Sequence, residues 1–98
     1  MKNKRKYELM VIIKPFLPEN VRMGVESKII ESLESGDGKV EKTDVWGKKH
    51  LAYPIQKHVE GYYIVYEFEN ISDSIKPIEK ALKSNKDILR FLLVKKEG

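Results

Sequence analysis

Between Tyr62 and Phe68 the chain sets Tyr62, Ile64, Tyr66 and Phe68 at every second position, with Tyr63, Val65 and Glu67 between them. A period of two carried by aromatic and β-branched residues belongs to a strand with one face buried and the other available. The fold must therefore supply a layer to cover that row. Two more stretches alternate in the same way. Tyr7–Ile13 sets Tyr7, Leu9, Val11 and Ile13 against Glu8, Met10 and Ile12, and Ile88–Lys95 sets Phe91 and Leu93 against Leu92 and Val94. The segment Lys39–Tyr53 alternates imperfectly, is rich in charge and breaks at Gly47, so it reads as a long edge strand with a bulge. Residues Pro54 to Gly61 are expected to form a loop.

Two helical stripes provide the covering layer. Pro15 and Pro18 end the first strand, and Pro18 with Glu19 suits a helix's first turn, where a missing N–H is harmless and a carboxylate meets the positive end of the dipole. Val21, Val25, Ile29 and Leu33 then recur every fourth residue, with Met23 and Ile30 widening the stripe, until Ser35-Gly36-Asp37-Gly38 stops the helix. A second helix follows Ser72 or Ser74 as cap, buries Ile75, Ile78 and Leu82, tolerates Pro77 near its first turn and ends at Asn85. The order β-α-β-β-α-β predicts an α+β domain: a four-stranded antiparallel sheet, order 4-1-3-2, with both helices on one face. Each helix has a single apolar face, so the far side of the sheet stays open. Met10, Ile12, Tyr63, Val65, Leu92 and Val94 fall on that open side and form a candidate partner-binding patch.

The 98 residues, 41% apolar and without repeats or Pro/Gly-rich linkers, suit one domain spanning residues 1–98, with the basic residues 1–6 a candidate flexible lead-in. Cysteine is absent, which removes disulfides, thiolate chemistry and cysteine-based zinc sites and suits a reducing cytoplasm. Basic residues precede apolar ones at the N-terminus, but Tyr7–Ile13 is short, contains Glu8 and lacks a small-residue cleavage site, so no signal peptide is read there. No stretch approaches a membrane span.

Catalytic readings find little support. His50 and His58 have no cysteine or acid cluster in a metal-ligand pattern, so no metal is expected. The six serines lie in cap, helix or loop contexts without a nucleophile elbow. Gly36-Asp37-Gly38 follows a helix rather than a strand, the wrong context for a phosphate cradle. The stretch Gly61–Tyr66 also departs from the RNA-recognition-motif consensus, with Glu60 in place of a base, Tyr63 in place of a small residue, and Ile64 and Glu67 where aromatics stack bases. No catalysis and no cofactor are expected.

Charge distribution says more than the net +4 from 19 Lys and Arg against 15 Asp and Glu. Lys2, Lys4, Arg5 and Lys6 crowd the start, Lys48, Lys49 and His50 form a second cluster, and Lys95 and Lys96 a third. In the middle cluster, Trp46 and Tyr53 add flat rings to the cationic donors, a combination that fits phosphates and bases. A charged edge that deters aggregation, with Trp46 packed on the core, fits the same residues.

Trp46-Gly47-Lys48-Lys49-His50-Leu51-Ala52-Tyr53-Pro54-Ile55, followed by Gly61-Tyr62-Tyr63 and by Asp87-Ile88-Leu89-Arg90-Phe91, resembles the bacterial small-subunit ribosomal protein S-six family, and the opening Arg5-Lys6-Tyr7-Glu8 is similar as well. The resemblance covers nearly the whole chain. It implies a ferredoxin-like fold and a structural, non-enzymatic role in the cytoplasmic ribosome. It further implies binding to the central domain of small-subunit ribosomal RNA jointly with ribosomal protein S-eighteen, with no metal, nucleotide cofactor, small-molecule substrate or membrane. Carried over by position, it points to Lys4, Arg5 and Tyr7, to Lys48 and Lys49, and to Arg90 and Lys95. With Trp46, His50 and Tyr53 from the aromatic-basic cluster, these are the candidate RNA-binding residues. His50 departs from the family pattern, standing where a further base is common. The sequence also stops at Gly98, short of the charged tail many relatives carry, so a tail contact is not among the expectations.

Two other readings of the residues differ in class. One is a non-catalytic regulatory or assembly module that homodimerises through its open sheet face. The other is a small hydrolase of the acylphosphatase kind, disfavoured because the segment between Ile13 and Val21 offers Asn20 but neither an arginine nor a glycine-rich turn.

Overall fold

Leu9 and Val11 on one strand and Ile64, Tyr66 and Phe68 on its neighbour are fully buried, and they mark the centre of the sheet in a computed structural model that describes residues 3–96. The strands are β1 (Lys4–Ile13), β2 (Lys39–Ile55), β3 (His58–Ile71) and β4 (Ile88–Lys95), and the helices are α1 (Glu19–Leu33) and α2 (Ile75–Ser84), the latter entered through one 3-10 turn at Ser72–Ser74. All pairings are antiparallel and the order is β2-β3-β1-β4, the predicted one read from the other edge. Val25, Ile29 and Leu33 of α1 and Ile78 and Leu82 of α2 close over Tyr7, Leu9, Val11, Ile13, Ile64, Tyr66 and Phe68. Both helices thus lie on one face, the covered face, and the other face is open.

The differences from the sequence-based expectations have local causes. Strand β1 begins at Lys4, because Lys4, Arg5 and Lys6 pair with Ile71, Asn70 and Glu69. The expected loop at Pro54–Gly61 shrinks to the two residues Gln56 and Lys57, whose φ of 49° and 70° make the left-handed turn that joins two strands tightly. Pro54 is accommodated because β2 is an edge strand. Neither Ser72 nor Ser74 donates or accepts a side-chain capping bond at α2. On α1, Val21 and Met23 are exposed, and Val25, Ile29 and Leu33 alone form its buried row.

A buried polar residue that the hydrophobic pattern does not reveal holds the C-terminus of α1. Asn70, fully buried on the covered face of β3, donates from Nδ2 to the carbonyls of Leu33 (3.1 Å) and Ser35 (3.0 Å), and its Oδ1 accepts from the Ile71 N–H (2.8 Å). These bonds satisfy carbonyls that a helix end leaves without partners. Gly38 completes the arrangement, since a Cβ there would collide with the Leu33 carbonyl and the Asn70 amide. Tyr66 is the opposite case: its hydroxyl is buried without a hydrogen-bond partner among the described residues. Its pKa is raised beyond the usual phenol range, by burial first and then by the nearby Glu26 and Tyr62. Asn70→Ala leaves the Leu33 carbonyl unsatisfied, while the Ser35 carbonyl keeps the Gly38 N–H, and a loss of about 1–3 kcal/mol in urea unfolding at unchanged m-value is expected.

Candidate nucleic-acid interface

Alternation along β2 would ordinarily send Trp46 and Lys49, three residues apart, to opposite faces of the sheet. Gly47 prevents this. The register with β3 slips between Val45 and Gly47, so that Val45 opposes Ile64 and Gly47 opposes Tyr63, and Trp46 is the extra residue. Gly47 has φ of 82°, the left-handed conformation that glycine adopts without penalty at a bulge. The slip resets the phase, and Trp46 and Lys49 emerge together on the open face. The indole stacks on Tyr63 (ring centroids 6.3 Å apart, planes 13° from parallel), and the Lys49 ammonium lies 5.0 Å from the indole centroid. Trp46 Nε1 donates to the Asp44 carboxylate at 3.1 Å. With 46% of its surface exposed, Trp46 is a platform and not a core residue.

The tip of the β2–β3 hairpin extends this site across the sheet. Beyond His50 the register shifts again, and the tip crosses the end of β1 to reach the opposite edge. The Arg90 guanidinium on β4 donates to the Tyr53 hydroxyl and lies 5.4 Å from the Tyr53 ring centroid, while Gln56 lines a hollow with Ile88, Leu89 and Arg90. Trp46, Tyr63, Lys49, Tyr53 and Arg90 thereby occupy one end of the open face, drawn from three strands.

The other candidate residues fall elsewhere. Lys48 and His50 point to the covered side: the Lys48 ammonium sits 4.7 Å from the Phe16 ring, and His50 opposes Glu60. Strand alternation thus splits the Gly-basic-basic run. Tyr7 is corrected as a binding residue, because it is 6% exposed and stacks on Phe68 under the helices at 5.5 Å. Lys4 and Arg5 lie at the far end of β1, about 23–27 Å along the strand from Ile12. Lys95 opposes Tyr7 at that same distant end, and the Lys96 N–H donates to the Lys6 carbonyl, so the first and third cationic clusters are neighbours as expected. Carboxylates interleave with that cluster. The Lys96 ammonium is 2.6 Å from Glu67, which is also attracted by Lys42 and Lys6.

Within the partner patch, Leu92 and Val94 are exposed (57% and 41%), and Met10, Tyr63 and Val65 are half-buried. Ile12 is corrected: it is 5% exposed, because Gly61 and Leu51 of the hairpin close over it. A Cβ on Gly61 would strike Ile12 directly, so the hairpin reaches this position only with glycine there.

Two measurements check this geometry. Gly47→Ala strains a left-handed residue, so stability falls by about 1 kcal/mol and iodide quenching of the sole tryptophan rises as Trp46 leaves Tyr63. The Glu67 carboxyl is held below the ordinary glutamate range by the hydrogen bond and charge of Lys96, so its contribution to stability is present above the unfolded-state pKa and lost as pH falls through the folded one. A site-resolved NMR titration should therefore show a low Glu67 midpoint that moves back to the ordinary value in Lys96→Met.

Residues 6–95 match the family model described as Ribosomal protein S6. The small ribosomal subunit protein bS6 of Clostridioides difficile is 40% identical over 90 residues, covering 92% of this chain and 97% of that protein. That of Corynebacterium aurimucosum is 41% identical over 94 residues, covering 96% and 98%. The crystal structure of 30S ribosomal protein S6 from Thermotoga maritima superposes with a TM-score of 0.89 at 28% identity, covering 96% of this chain and 89% of that one. An uncharacterized Thermotoga maritima protein shares the fold alone, with a TM-score of 0.59 at 16% identity. A match over nearly the whole chain, an agreeing sheet order and relatives this similar settle the lineage: the chain belongs to the ribosomal protein S6 family of the small ribosomal subunit.

Proposed function

We propose that the protein is a structural component of the cytoplasmic ribosome that binds the central domain of small-subunit ribosomal RNA together with ribosomal protein S-eighteen, and that positioning is its whole activity. The observation carrying this reading is the open-face constellation of Trp46 stacked on Tyr63, Lys49 over the indole and Arg90 against Tyr53. Flat rings beside cations suit unpaired bases and the phosphates that flank them, the features by which folded RNA is read at junctions. Among the described residues no group of three or more His, Cys, Asp and Glu side chains is placed to hold a metal ion, and the family is one of ribosomal proteins.

Next to the constellation, Leu92 and Val94 continue the open face as exposed apolar surface. That strip is the proposed seat of S-eighteen, adjoining the RNA-facing residues so that the two ligands share a boundary. Lys4, Arg5 and Lys95 are assigned a lesser part, because carboxylates lie among the cations at their end of the sheet.

Footprinting small-subunit ribosomal RNA with this protein, with S-eighteen and with both tests the reading; protection that needs both proteins is expected, and protection by neither removes it. Lys49→Ala should weaken RNA binding and flatten the log-affinity against log-salt slope by up to about one unit, as for one lost phosphate contact. Lys48→Ala, on the other face, should change the slope less, and equal effects would show that the bulge does not sort the two lysines.

A further inference from the structure

We infer that α2 carries a second RNA-binding face, one that takes the sugar–phosphate backbone of double-helical RNA irrespective of sequence. Residues 1–74 carry 12 Lys and Arg against 12 Asp and Glu, whereas residues 75–98 carry 7 against 3, so the whole net charge of +4 belongs to α2, β4 and the residues around them. On α2, Lys76, Lys80 and Lys83 recur at spacings of four and three, which puts them on one side of the helix, opposite the buried Ile78 and Leu82. All three are exposed, as is Lys86 just beyond the helix.

This stripe differs from an ordinary solvated helix face. On α1 the cation Arg22 pairs with Glu26 one turn on, at 3.5 Å. On α2 the only carboxylate is Glu79, and among the described residues neither it nor any other carboxylate forms an ion pair with Lys76, Lys80, Lys83 or Lys86. Like charges at these spacings destabilise a helix, a cost that an external polyanion would remove. Along the axis the ammonium-bearing positions advance by roughly 6 and 4.5 Å, a ladder suited to successive phosphates on one strand. Lys28 of α1 and Lys86 line the groove between the two helices, and its carboxylate, Asp87, lies 3.8 Å from the Lys14 ammonium.

The choice of a duplex follows from what α2 lacks. None of the exposed aromatic residues, Phe16, Trp46 and Tyr53, lies on it, so unpaired bases find no stacking surface there. Phosphates remain, and these are what a paired helix displays. The site differs in element and chemistry from the Trp46–Arg90 end of the open sheet, which it meets at the hollow that Lys83 and Arg90 both line, and the inference does not require S-eighteen.

The test measures binding of the full chain to a short RNA duplex of arbitrary sequence, and to a single strand of the same length, across a salt series. The triple variant Lys76→Gln, Lys80→Gln, Lys83→Gln changes only exposed side chains, and its unfolding midpoint should be retained. For the duplex its salt slope should flatten by about 2–3 units, at roughly 0.9 unit per lost phosphate contact, with little change for the single strand. The pair Trp46→Ala, Lys49→Ala should show the reverse preference, weakening the single strand more. A duplex slope unchanged in the triple variant overturns the inference while leaving the proposed function intact. Loss of single-strand binding in neither set would fault the proposed function and not this one. Binding of poly-glutamate to wild type with no duplex binding would assign the stripe to acidic protein and overturn it as well.

Discussion

Everything in this molecule depends on covering one side of a sheet and not the other. Two helices of 15 and 10 residues, each with one apolar row, are enough to bury Leu9, Val11, Ile64, Tyr66 and Phe68, and they leave nothing for the reverse face. Strand alternation then acts as a sorting rule. A side chain's position in the sequence, modulo two, decides whether it serves stability or remains available. Tyr7 and Tyr63 are both tyrosines on central strands, yet one is sealed beneath the helices and the other forms half of an open-face stack. Chemistry alone does not separate them; phase does.

Where the rule would separate residues that belong together, the backbone breaks it. The bulge at Gly47 adds one residue to β2, and that residue is Trp46. Without the added residue Lys49 would follow the parity of Val45 and point toward the helices. With it, Lys49 caps the indole and Lys48 takes the inward place beside Phe16. The Gly-Lys-Lys order is thus read by the fold as a glycine that resets the phase and two lysines with different destinations. A similar economy governs the hairpin tip, where Gly61 lets the strand lie against Ile12 and brings Tyr53 from one edge of the sheet to Arg90 on the other.

Much of this was legible in the sequence because burial has a period. The alternation of Tyr62 to Phe68, the extent of Ile88–Lys95, the glycine stop after Leu33 and the bulge at Gly47 all follow from patterns over a few residues. What escaped depends on contacts distant in sequence. Lys4 to Lys6 read as a polar lead-in, but they pair with Glu69, Asn70 and Ile71. Gln56 and Lys57 carry none of the residues that announce a two-residue turn, since the hairpin's long ladder imposes their conformation. Ile12 read as open surface because a strand's far face is open until a hairpin folds over it. Asn70 left one usable trace: it stands in phase with Tyr66 and Phe68, so it is a polar residue on a buried row and needed partners. The α2 lysines were visible from the start, but their significance depends on the absence of paired carboxylates among the described residues, which only the folded arrangement establishes.

The placement of charge along the open face bears on how two ligands would cooperate under the proposed reading. At one end, Lys6, Lys42 and Lys96 surround Glu67 and the charge is largely internally compensated. At the other end the cations face rings, and Asp44 is engaged by the indole N–H. Between them runs the exposed apolar strip of Leu92 and Val94, next to Arg90 on the same strand. A protein seated on that strip would exclude water beside Arg90 without touching it, and the attraction between Arg90 and a phosphate strengthens as the local dielectric falls. Coupling of this kind requires no change in the fold. It is also reciprocal, since RNA held at Arg90 would favour the partner by the same factor.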